Sequence, residues 1–215
     1  MQVEDKEVIL LKVSGQDKLG VTAGLSSILA TYDATILDIG QADIHDTLSL
    51  GILFEIKVGC TSGPVLKDLL FKAYELGVKV KFIPISIEDY EIWVKGQRKQ
   101  RYIINVLGET LTAVQLAAVT RILSNQNLNI DSIKRLTGRV SIIEKEEFPR
   151  SCIQLSVTGT IVDKTLMTAS FMEISRTLDV DISFQEDNMY RRNRRLVCFD
   201  MDSTLIQTEV IDELA

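Results

Sequence analysis

Two carboxylates and two hydroxyls lie close together near the end of the chain. Asp200, Asp202, Ser203 and Thr204 follow directly on an apolar run, residues 196–199. A short apolar run of this kind suits a buried parallel strand. Ligands of open α/β sheets bind beyond the carboxyl ends of their strands. The segment therefore reads as the opening of a catalytic α/β domain whose remainder is missing. A second candidate lies near the start, at Asp17, Lys18, Leu19, Gly20 and Val21. Glycine allows backbone to approach a ligand closely. A helix N-terminus just after it offers unpaired N–H groups to a carboxylate. Gly20 also suits a tight turn with no ligand, and the spacing alone does not separate the two.

Other chemistry is sparse. His45 is the single histidine. It falls in a hairpin-like stretch and reads as a solvated turn residue, so no histidine-based triad is expected. Cys60, Cys152 and Cys198 are far apart and odd in number. They form no zinc-ligand spacing and read as buried thiols in a reducing compartment.

The elements that would hold these residues form a weak internal repeat. Residues 8–13 read as a strand, 19–31 as a helix, 34–41 and 48–58 as strands, 64–76 as a second helix and 78–87 as a closing strand. The order is βαββαβ. Residues 102–107, 112–124, 152–158, 164–178 and 180–185 repeat it, with Ile130 and Ile133 marking the second strand and a charged insertion over 138–150. The copies keep a constant offset of 94 residues from Leu25 to Val119, and from Ile36 to Ile130. Each copy predicts two helices on one face of a four-stranded antiparallel sheet, the split βαβ plan, so the fold class is α+β. Uncovered faces or edges are expected to be buried between the copies or against a second chain.

The expected domains are 1–87, a polar connector 88–100, 101–187, a basic linker 188–195, and the start of a further domain at 196–215. Trp93 in the connector is expected to pack on a neighbouring unit. The four arginines of 190–195 read as a solvated linker or as partners for acidic surface. The chain has 215 residues and a net charge of −6, which argues against general nucleic-acid binding. Its first residues lack the basic region and apolar stretch of a signal peptide. No aliphatic run spans a bilayer. A cytoplasmic location is expected, with no nucleic-acid or membrane partner.

Two resemblances give these features a shared meaning. The βαββαβ unit with Asp17-Lys18-Leu19-Gly20-Val21 at its first strand-to-helix turn resembles an ACT domain, a small module that commonly binds free amino acids. The resemblance implies effector contacts at Asp17, Leu19, Gly20 and Val21, an amino-acid effector such as serine, and homodimerisation through the ACT-like units. In the second copy Val114 replaces the glycine, a departure from the ACT pattern. Residues 128–136 resemble the second strand in the tandem ACT region of long bacterial phosphoserine phosphatases. The segment Asp200-Met201-Asp202-Ser203-Thr204-Leu205, with Glu209 and Asp212 beyond it, resembles motif I of the haloacid-dehalogenase-like phosphatases, in a form close to that of phosphoserine phosphatases.

That resemblance implies a parent reaction, the Mg2+-dependent hydrolysis of O-phospho-L-serine. It gives Asp200 the nucleophile's role and Asp202 the acid–base role. Both are implied Mg2+ ligands, Asp200 by its carboxylate and Asp202 by its backbone carbonyl. Thr204 and Glu209 are assigned to orienting the loop and recognising substrate. The groups that finish such a site fall after residue 215, so this chain alone is expected to be inactive. The competing reading is a stand-alone double-ACT amino-acid sensor, like the glycine-cleavage regulators.

Overall fold

The computed structural model describes residues 6–57, 61–96, 99–139, 141, 143 and 150–192. They form two compact units, with the boundary after residue 98. The first contains β1 (Glu7–Gln16), α1 (Val21–Thr31), β2 (Thr35–Ile44), β3 (Thr47–Ile56), α2 (Ser62–Leu76), β4 (Lys79–Ile85) and α3 (Ile87–Gly96). The second contains β5 (Arg101–Gly108), α4 (Ala113–Asn125), β6 (Leu128–Arg135), β7 (Ser151–Gly159), α5 (Lys164–Leu178), β8 (Asp181–Glu186) and α6 (Met189–Arg192).

The sheets are antiparallel, in the orders β2-β3-β1-β4 and β6-β7-β5-β8. This is the split βαβ plan read from the sequence, built twice. In the first unit Ile9, Leu11 and Val13 alternate with Leu10, Lys12 and Ser14, so one face of β1 meets the helices. On α1, Val21, Leu25 and Leu29 recur every four residues and are buried against Val65, Leu69 and Ala73 of α2. Each fully buried aliphatic side chain contributes about 1.5–3 kcal/mol. Gly24 lets the two helices close up: a Cβ there would lie 3.1 Å from Lys72 and 3.2 Å from Leu76. At the other end of α1 the Tyr32 hydroxyl donates to Asp68 at 2.5 Å. That bond holds the phenol's pKa above its ordinary value.

The repeat extends to an irregularity. β2 carries a bulge between Ile36 and Asp38, and β6 carries one between Ile130 and Ser132. These are the same positions at the offset of 94. The second core repeats the first with Val119, Leu123, Leu155, Val157 and Met167.

Most of the connector 88–100 is helical, as α3. Ser86 starts this helix: its hydroxyl accepts from the Asp89 N–H at 3.0 Å, and its carbonyl accepts from the Tyr90 N–H. Glu88 and Asp89 in the first turn and Lys95 in the last suit the helix dipole. Trp93 lies on α3, 43% exposed, with its ring 6.0 Å from that of Tyr90. Part of the basic linker is helical as well. α6 starts where Asn188 accepts from the N–H groups of Tyr190 and Arg191, and Arg191 lies 3.8 Å from Asp187. Asp200, Asp202, Thr204 and Glu209 lie outside the described residues.

Candidate functional site

The turn between β1 and α1 is built by strand pairing below it and helix geometry above it. β1 runs to Gln16, paired with Thr47 at the end of the β2–β3 hairpin. The Asp17 N–H then donates to the Asp46 carbonyl at 2.8 Å, fixing where the chain leaves the sheet. His45 shapes that hairpin with a φ of 57°, and its side chain is exposed. It is a turn residue, as expected.

Gly20 is the N-cap of α1, with φ 90° and ψ −3°. That left-handed conformation is costly for residues with a Cβ, so a glycine is needed for the backbone alone. The space around it is open, since an added Cβ would meet no atom within 4 Å. No side chain caps the first turn, and no acidic residue lies in it. The first N–H groups of a helix have no intrahelical partner, and here they carry the positive end of the helix dipole. Anions bind at such ends.

The residues read from the sequence divide in their roles. Leu19 is fully solvent-exposed, at 104%. Val21 is 2% exposed and anchors α1 in the core, so only its backbone is available to a ligand. Asp17 is exposed at the strand end. Three further residues belong to this surface: Lys18, Thr22 and Gln41. Lys18 places its amine 3.5 Å from where a Gly77 Cβ would sit, against the left-handed cap that ends α2. The Thr22 hydroxyl donates to Gln41 Oε1 at 2.9 Å, tying the first turn of α1 to β2. Gln41 gave no signal in the sequence, because a polar residue on an edge strand looks like any solvated position.

The second unit closes the equivalent place with its own side chains. α4 starts two residues earlier relative to the repeat, since Ala113 corresponds to Leu19. Thr112 caps it: its hydroxyl accepts from the Gln115 N–H at 3.3 Å, and Gln115 Oε1 accepts from the Thr112 N–H at 2.8 Å. Gln115 Nε2 also donates to the Leu178 carbonyl at the end of α5, at 2.8 Å. Gln115 is 7% exposed and occupies the position of Val21 in the repeat. The sequence carried this signal as Thr112-x-x-Gln115, a capping-box pattern. Gln115→Ala removes the cap acceptor and leaves the Leu178 carbonyl without this donor. We expect a loss of about 1–3 kcal/mol in the second unit, read as an earlier urea midpoint, with the first unit unchanged.

Among the described residues no group of three or more His, Cys, Asp or Glu is placed to hold a metal. No described helix is long and apolar enough to cross a membrane.

Comparison with known proteins places both units. Residues 7–83 and residues 101–185 each match the ACT domain family. A phosphoserine phosphatase of Streptomyces coelicolor is 32% identical over 214 residues, covering all of this chain and 48% of the relative. The phosphoserine phosphatase SerB2 of Mycobacterium tuberculosis is 28% identical over 210 residues, 98% of this chain and 48% of the relative. The chain thus spans about half the length of these curated relatives. A solved protein of unknown function from Galdieria sulphuraria has the same fold, with a TM-score of 0.68 at 16% identity over 86% of this chain and all of that one.

Proposed function

This chain belongs to the ACT-domain family, as a tandem of two ACT domains. From that premise we propose that it is the regulatory region of a phosphoserine phosphatase, that its first unit binds a free amino acid, and that it pairs with a second copy of itself. The observation that carries this reading is the contrast between the units. α1 begins behind Gly20 with open N–H groups and clear space, while Thr112 and Gln115 fill the same place on α4.

An amino acid has two charged ends, and the turn offers both complements. Its carboxylate suits the N–H groups of Val21 and Thr22 at the positive end of α1. Its ammonium suits Asp17, and Leu19 and Gln41 border the place where a small side chain would lie. The site is an open turn within one chain. A second copy laid against it would exclude water and strengthen these contacts. Regulation then requires the amino acid to favour one of two conformations of the whole protein.

The catalytic half of the proposal rests on Asp200, Asp202, Thr204 and Glu209. Carboxylates are hard oxygen donors and fit Mg2+. Bound there, Mg2+ would offset the charge of the phosphoryl group. An Asp200 carboxylate oxygen would attack phosphorus while the bond to the serine oxygen breaks, and Asp202 would give that oxygen a proton. Water would then attack the aspartyl-phosphate, with Asp202 taking its proton, to release phosphate. Thr204 would orient the loop, and Glu209 would bind the serine ammonium.

Isothermal titration of this chain with single amino acids tests the regulatory reading. Saturable heat is expected with serine or another small amino acid. No heat with any of them would leave a purely structural dimerisation module.

A further inference from the structure

The sheet of the first unit has a second face, turned away from α1 and α2. Strand residues alternate between faces, and Ile9, Leu11 and Val13 point to the helices. Lys12 and Ser14 therefore lie on the other side, with their cross-strand neighbours. The register places Gly40, Gly51, Lys12 and Lys81 in one row, and Ala42, Ser49, Ser14 and Lys79 in the next. Small residues form the floor of both rows at one side and lysines stand at the other. The result is an open concavity of about 470 Å3, lined by Lys12, Ser14, Ser49, Gly51, Lys79 and Lys81.

The charges on this floor are unbalanced. Lys12 and Lys81 are directly opposed across the β1–β4 pair, and like charges in that relation are destabilising. None of the three lysines has an acidic partner among the described residues, and neither serine hydroxyl has a hydrogen-bond partner there. No carboxylate is among the residues that line the concavity. A patch of three uncompensated cations is conspicuous in a chain of net charge −6.

We infer that this concavity binds a small phosphate-bearing anion, either orthophosphate or a phosphate monoester. A phosphate group carries close to two negative charges near neutral pH and at least three acceptor oxygens. That matches three neighbouring lysines and two free hydroxyls better than a carboxylate does. Lysine serves phosphate as a point charge without a fixed fork geometry. The glycine and serine floor leaves room for the group to reach the backbone plane. The chain's overall negative charge opposes a long polyanion. This site uses none of the residues of the Gly20 turn and stands independently of the function proposed above.

The test is a 1H–15N titration of the whole chain at constant ionic strength, with orthophosphate, with glycerol phosphate and with chloride. Orthophosphate or the monoester is expected to give saturable shifts at Ser14, Gly51 and Lys81, and chloride none. An affinity at least about tenfold higher for the monoester identifies a phosphorylated metabolite as the ligand, and equal affinities identify free phosphate; both support the site. Lys81→Glu sets an acid opposite Lys12. It should raise Tm without phosphate, because an opposed like-charge pair becomes an ion pair, and it should abolish the shifts. Excluded salts such as phosphate also stabilise proteins generally, and this variant separates that effect from binding. Absence of saturable shifts in the wild-type chain, or equal shifts in Lys81→Glu, would overturn the inference.

Discussion

Asp200→Asn, made in the longer phosphatase proposed to carry this chain, is expected to lower phosphate release from O-phosphoserine by about 10^4-fold or more. Loss of a nucleophile removes the covalent route, and effects of this size are typical of groups that act as a unit. The amide has nearly the carboxylate's shape but is a poor nucleophile and a weaker Mg2+ ligand. Amino-acid binding at the Gly20 turn should persist in the variant, which shows that the protein remains folded. The 215 residues assayed alone should release no phosphate. Retention of activity within about tenfold of wild type would remove Asp200 from the role of nucleophile.

The second large effect is expected at Gly20. An alanine or valine there would strain the left-handed backbone and confuse stability with binding. Gly20→Asn lessens this strain without removing it, because asparagine enters the left-handed region more readily than other residues with a Cβ, although φ 90° lies beyond its preferred range. The empty protein has room for the side chain, as no atom lies within 4 Å of the Cβ position. The same room is where the ligand would lie. The variant should melt below wild type but still as a folded chain, and when measured well below its Tm it should bind its amino acid at least about tenfold more weakly, or about 1.4 kcal/mol. Unchanged affinity in a folded Gly20→Asn chain would move the effector site elsewhere.

The fold was readable because its signals were periodic and doubled. Leu25 and Leu29 predict Val119 and Leu123, and the correspondence of Ile36 with Ile130 holds through a β-bulge in both copies. α3 was missed because its signal is short and local. Ser86 and Asp89 cap it and Ile87, Tyr90 and Val94 recur at helical spacing, but the helix is only ten residues long and none of its side chains is buried. The sequence also found the Gly20 turn and the missing glycine at Val114. It did not show why the second unit differs. The cap itself is local, as Thr112-x-x-Gln115, but the anchoring of Gln115 on the Leu178 carbonyl spans 63 residues, and no local pattern encodes it. The lysine concavity was hidden for a similar reason: Lys12 and Lys81 meet only through the β1–β4 register.

The asymmetry between the two ACT domains is the centre of this account. Its most direct test is the stoichiometry and location of amino-acid binding to this chain, by calorimetry with 1H–15N mapping. One amino acid per chain, with shifts at residues 17–22 and none at 111–116, is the result predicted. Two per chain, or shifts centred on Thr112 and Gln115, would contradict it.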